Sequence, residues 1–169
     1  MSIIDMLRQH EASERLVKFK PTFDPGETEQ RRIFLVKPLA EWIERRTGTR
    51  SDIDLLAATR AQLAQFVKGR RVDNENFMKL LKPYRNEIWE IRILFKPQTR
   101  IFGMFALADC FICTNAQGRE KLGEGSSDEW SKAEKKAEDT WDALFPGFRR
   151  WTGTAFEHYV TANRFDCRS

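Results

Sequence analysis

Histidine and cysteine are scarce in this chain, and their scarcity narrows the chemistry open to it. The 169 residues hold two histidines, His10 and His158, and three cysteines, Cys110, Cys113 and Cys167. A structural zinc site takes four nitrogen or sulfur ligands. Cys110-Phe-Ile-Cys113 has the C-x-x-C spacing of a knuckle or redox pair. On a strand, however, a separation of three puts the two thiols on opposite faces, and both histidines lie near the chain ends. Two buried free thiols are expected there, with no metal and no cofactor. Also missing is any apolar run approaching the roughly 20 residues that span a bilayer. Met1 to Gln9 carries acid and base early and has no apolar signal core, so a cytoplasmic protein without a membrane partner is expected. Tyrosine is sparse as well, 2 residues against 13 Phe and 5 Trp, which points to a core built on large aromatics. There is no internal repeat, low-complexity tract or long linker.

What is present describes an ordinary globular chain, 41% hydrophobic and 32% charged, of a length suited to one domain. The net charge of +4 is unevenly spread. From Lys68 to Arg100, nine Lys and Arg face four acids, an excess of five, and the remainder of the chain sums to −1. Concentrated basic charge suits a polyanion, because neutralised phosphates release their counterions. A solvated basic face is the plainer alternative.

Ile3, Ile4 and Leu7 share a helical face within residues 2–10. Leu16 to Phe23 alternates as a strand and is stopped by Asp24-Pro25-Gly26. Between Arg31 and Arg46 the stripe Val36, Leu39, Ala40, Ile43 is helical. There either a helix begins at Pro38 or a longer one kinks there. A second helix is predicted from an N-cap at Ser51, with Asp54 three residues on, a stripe of Leu56, Leu63, Phe66 and Val67, and a stop at Lys68-Gly69-Arg70-Arg71. A basic connector, Phe77 to Tyr84, leads into the most informative stretch, Arg85 to Lys121.

That stretch patterns as a three-strand antiparallel meander. Trp89, Ile91, Ile93 and Phe95 share one face of its first strand, with Glu90 and Arg92 on the other. Ile101, Gly103, Phe105 and Leu107 line one face of the second, and Arg100, Phe102 and Met104 the other. Phe111, Ile112 and Cys113 form a short third strand before a basic loop, Asn115 to Lys121. Ser126 with Glu129 then opens a helix whose Trp130, Ala133, Ala137, Trp141, Leu144 and Phe145 recur at spacings of three and four. Pro146-Gly147 ends it. Phe156, Tyr159 and Val160 are the docking residues of the tail. The fold class expected is α+β: a small antiparallel sheet, the meander plus the N-terminal strand, packed against helices. Residues 1–15 form a helical extension, 16–147 the main domain and 148–169 the tail.

Ile88-Trp89-Glu90-Ile91-Arg92, then Arg100-Ile101-Phe102 with Phe105, then Phe111-Ile112-Cys113 and the loop cations Arg119 and Lys121 together resemble the RelE/ParE superfamily of small bacterial toxins. The phage-associated HigB-like branch is the nearest part of it. The resemblance implies a metal-independent endoribonuclease, an mRNA interferase of a toxin–antitoxin pair that acts on RNA or ribosome-bound message and is restrained by a cognate antitoxin. On that pattern Arg92, Arg100 and Arg119 would hold the scissile phosphate, since arginine donors fork onto its oxygens. Lys121 or Lys96 would move the proton, and Lys82, Arg85, Tyr84 and Lys96 would contact RNA. The chain departs from the pattern at Asn115-Ala116-Gln117, where the family often has His-Gly, and at Glu120, where it has lysine. These departures motivate a second expectation, a non-catalytic phage or mobile-element protein on the same scaffold that inhibits a host protein or complex. A gyrase-directed poison is a third. The residues have structural readings too: Glu90 with Arg92 as a strand ion pair, Arg100 as a sheet-edge charge, and Tyr84 as partial core.

Overall fold

The apolar run Arg32-Ile-Phe-Leu-Val36 is a strand, and it joins the rest of the chain to the meander. The computed structural model describes residues 1–125 and 127–161. In chain order they form α1 (Ile3–Ala12), β1 (Leu16–Lys18), β2 (Arg32–Val36), α2 (Lys37–Ile43), α3 (Arg50–Val67), β3 (Met78–Leu80), β4 (Trp89–Ile93), β5 (Thr99–Leu107), β6 (Cys110–Gly118), α4 (Arg119–Leu122) and α5 (Asp128–Leu144). Short 3₁₀ turns occupy Tyr84–Asn86 and Phe156–His158. The six strands lie in the order β1-β2-β6-β5-β4-β3. All neighbours are antiparallel except β2 and β6, which are parallel.

The α+β class therefore holds, but the expected small antiparallel sheet is a mixed one of six strands. The connection explains the parallel pair. From β2 the chain passes through α2 and α3 to the far edge at β3, and the antiparallel run β3-β4-β5-β6 brings it back beside β2 in the same direction. Arg32–Val36 does not extend a helix, and Pro38 stands in the first turn of α2, where its missing N–H costs nothing. The connector Phe77–Tyr84 contributes β3, and the segment expected as a loop after Cys113 continues β6 as far as Gly118.

Helices cover both faces of the sheet. On one side Ile33, Leu35, Ile91, Ile101 and Phe105 pack with Leu63, Phe66 and Val67 of α3 and Ile43 of α2. On the other Phe34, Phe102, Met104 and Ile112 pack with Leu7 of α1 and Trp130, Trp141 and Phe145 of α5 or its end. Burying a large side chain of this kind contributes about 2–3 kcal/mol. Cys110 and Cys113 are buried free thiols, one in each of these two cores, as strand geometry requires. Their separation across the sheet rules out a shared ligand. Phe95, expected on the buried face of β4, is 45% exposed because the strand ends at Ile93.

Two caps differ from expectation. The N-cap of α3 is Thr49, not Ser51: Thr49 Oγ1 accepts from Asp52 N at 3.2 Å, while Thr49 N donates to Asp52 Oδ2 at 3.1 Å. Thr49 is extended after the positive-φ Gly48, which frees its hydroxyl to face the first turn. The cap of α5 is Ser127, whose hydroxyl accepts from Trp130 N. Ser126 lies outside the described residues, as does Cys167.

The tail docks. Trp151 N donates to Phe105 O and Asp109 N to Tyr159 O, each at 2.8 Å, and Tyr159 and Val160 join the α3-side core. No helix among the described residues is long and apolar enough to cross a membrane.

Candidate functional site

Strand alternation turns Glu90 and Arg92 of β4 and Arg100 of β5 toward α5. Register makes Arg92 and Arg100 direct cross-strand partners, and Gln117 of β6 continues the row on the far side of Arg100. Like charges opposite one another in a ladder repel. Glu90 offsets that repulsion. Its Oε1 accepts from Arg92 Nε at 2.7 Å, and its Oε2 lies 3.6 Å from Arg100 Nε.

The three groups differ sharply in access. The Glu90 side chain is 1% exposed and that of Arg100 7%, whereas Arg92 keeps 25%. Arg100 also donates locally, from Nη1 to Thr99 O at 3.2 Å and from Nη2 to Gln98 Oε1 at 3.3 Å. Glu90 Oε2 and Arg100 Nε have no hydrogen-bond partner among the described residues, so their contact is ionic and longer than a hydrogen bond. Burial draws the Arg100 pKa below its ordinary value, with Glu90 opposing and the charges of Arg92 and Arg119 adding to the fall. On α5, Glu134 faces the same cluster. Burial raises its pKa, and the neighbouring carboxylates of Glu138 and Glu90 raise it further. Arg92 is tied a second time, through Nη1 to Glu75 O at 2.8 Å.

Arg119 joins the same end of the sheet because its N–H donates to Gln98 O at 2.8 Å, extending the β5-β6 pairing by one step. Its Nη1 donates to Gly123 O at 2.7 Å, and the guanidinium lies 5.9 Å from the Trp130 ring centroid. Lys121 and Lys96 are exposed at this end. The other candidates fall elsewhere. Lys82, Tyr84 and Arg85 sit before the start of β4, whose five residues span about 16 Å. They are exposed, with Lys82 Nζ 5.9 Å from the Tyr84 ring centroid.

The structure thus gathers Arg92, Arg100, Arg119, Lys96 and Lys121 around one end of the meander and sets Lys82, Tyr84 and Arg85 apart. As arranged, Arg92 can meet an anion at its exposed edge, while the Arg100 fork is committed to the interior. Two features escaped sequence reasoning: the approach of Glu134 from α5, and the length of β6. The helix-face pattern of α5 carried a signal for the first, since Glu134 follows the buried Ala133 directly.

No known family's sequence profile matches the chain, and no curated protein or solved structure matches it either.

Proposed function

We propose that this chain is a RelE-like binding protein that acts by docking on a partner macromolecule, and that its sheet arginines serve the fold. The carrying observation is the closure of Arg92 and Arg100 on buried Glu90. A phosphate-binding arginine must offer its fork to incoming oxygens. Here one fork is buried beneath α5 and the other already holds a carboxylate and a main-chain carbonyl. The RelE-like scaffold is supported by the motif Ile88–Arg92 and by the succession strand, two helices, meander and closing helix. The departures at Asn115-Ala116-Gln117 and Glu120 support a non-catalytic role, that of a cytoplasmic phage or mobile-element protein whose partner is a host protein or complex.

One observation favours a second reading, the metal-independent mRNA interferase with a cognate antitoxin. Arg92 retains an exposed edge, and Arg119, Lys121 and Lys96 cluster at the same sheet end. Induced expression in bacteria with Arg92→Ala and Arg119→Ala variants separates the two. The binding reading expects intact message during translation and no loss of any growth effect in either variant. Message cleaved during translation by the wild-type chain, and spared by Arg92→Ala, would sink it.

A further inference from the structure

We propose that the open edge of β6 is a docking groove for an extended, acidic segment of a partner protein, which pairs with it as an added strand. The inference deepens the binding reading above and rests on it for biological meaning, though the groove can be tested alone.

The edge exists because β2 is short. It pairs with β6 only from Arg32–Cys110 to Leu35–Cys113, and at Val36 the chain turns away into α2. Beyond Cys113, β6 continues through Thr114-Asn-Ala-Gln-Gly118 with pairing, among the described residues, on its β5 side alone. The bond from Arg119 N to Gln98 O fixes the phase of that ladder. Counting back in twos, Gln117 and Asn115 give their main-chain groups to β5, so those of Ala116 point outward. The Gly118 N–H also points outward, and the Gln117 side chain covers it, Oε1 accepting at 3.2 Å. A side-chain amide is a readily displaced stand-in for a strand. Proteins guard open edges with lysine, proline or other charge. Residues 114–118 contain none.

The edge lies at the floor of a cleft of about 580 Å³. Pro38, Leu39 and Trp42 of α2 form one wall, and Lys136 and Thr140 of α5 the other. Past Val36, Lys136 and Thr140, which line both, the cleft continues into a second of about 710 Å³. There Arg15, Lys132, Lys135 and Lys136 outnumber the one acid, Asp139. Lys135 and Asp139 form an exposed pair, and such pairs hold little energy against an incoming carboxylate.

These features select the occupant. A polypeptide alone presents alternating N–H and C=O groups to a strand edge, which favours protein over nucleic acid. Helices rise on both sides of the edge, so a single free strand fits where the sheet of a second copy does not. A second copy would also set one basic rim against another. The segment that fits places apolar side chains over Leu39 and Trp42, then carboxylates along Lys136, Lys132 and Arg15.

The test is selection of a phage-displayed library of linear peptides, about twelve residues long, on the full chain, followed by synthesis of the peptides recovered. The expected outcome is peptides with an apolar, β-forming half and an acidic half. Their binding should weaken by about tenfold or more in Trp42→Ala and in Lys136→Glu, as for loss of an anchor or a steering charge. Hydrogen exchange at the Ala116 amide should slow on binding. Because Lys136 is exposed, Lys136→Glu tests the groove without endangering the fold. Recovery of no peptide overturns the proposal, as does recovery of peptides indifferent to both variants that leave Ala116 exchange unchanged. If peptides bind as expected while the chain cleaves message, the groove stands and the binding-only function falls.

Discussion

Arg92 Nε donates to Oε1 of Glu90 at 2.7 Å from the same face of the same strand, two residues away. Arg100 reaches the other carboxylate oxygen at 3.6 Å from the neighbouring strand. One buried carboxylate thus holds two guanidinium groups that register would otherwise set against each other.

Removing that carboxylate leaves a buried, uncompensated cation. Glu90→Ala is therefore expected to cost about 3–5 kcal/mol, the range for breaking a buried ion pair from one side. Arg92→Ala, at a part-exposed position, should cost about 1 kcal/mol or less through the pair. Replacing both buried members, as in Glu90→Leu with Arg100→Met, should recover much of the Glu90→Ala loss, because no charge is then stranded. Urea denaturation of the three variants checks this. A double variant that recovers none of the Glu90→Ala loss would show that Glu90 and Arg100 are not coupled.

The legible parts of the fold were those with a long, unambiguous period. The alternation of Trp89, Ile91 and Ile93 against Glu90 and Arg92, and the three-and-four spacing from Trp130 to Leu144, both appear as β4 and α5. β2 was not legible because Ile33-Phe34-Leu35 is a short apolar run that strand and helix share. The outer half of β6 consists of Asn115, Ala116, Gln117 and Gly118, poor strand formers held there by pairing with β5. For the site, the candidate arginines were visible but their depth was not. Periodicity assigns Glu90 and Arg100 to a face without saying that α5 closes over it.

Tyr159 donates its hydroxyl proton to Glu87 Oε2 at 2.6 Å, joining the tail to the residue before Ile88-Trp89. Burial raises the pKa of both groups, that of Tyr159 to about 12, while the Tyr159 bond draws Glu87 back toward ionisation. Tyr159→Phe removes the donor and leaves a buried acceptor, at a cost of about 1–3 kcal/mol. The cost should be larger with Glu87 ionised and shrink as acid protonates it. Denaturation midpoints at neutral and acid pH check the trend, and limited proteolysis should find the tail cut sooner.

Glu27 bridges two cations at the end of α3, with Oε2 2.7 Å from Lys68 Nζ and Oε1 2.8 Å from Arg70 Nη2. The Lys68 bond, then the main-chain N–H of Asp24, bring its pKa from 4.5 down to about 2. A depressed carboxylate stabilises the fold above its unfolded pKa and loses that contribution as pH falls through the folded one. Wild-type stability should therefore decline from about pH 4.5 toward about pH 2 more steeply than that of Glu27→Gln. At neutral pH the variant should be the less stable of the two. Chemical denaturation across that range provides the test, and parallel acid limbs would count against the bridge.

Gly103 occupies the more crowded of the two glycine positions in the sheet strands. A Cβ there would lie 2.1 Å from the Ile112 carbonyl oxygen and 2.7 Å from Phe111 Cζ, beside the register shift between Phe102 and Gly103. The obstructing oxygen belongs to the neighbouring strand, so no side-chain rotation relieves the clash. Gly103→Ala should cost about 3 kcal/mol or more, at the upper end for overpacking. Gly118 provides the matched control on the adjacent strand, since nothing lies within 4 Å of a Cβ built on it. Gly118→Ala should stay within about 0.5 kcal/mol of wild type, as an unobstructed surface substitution does. Thermal and urea unfolding of the pair separate close packing from any general effect of adding a methyl group, and equal losses in the two would contradict the packing argument.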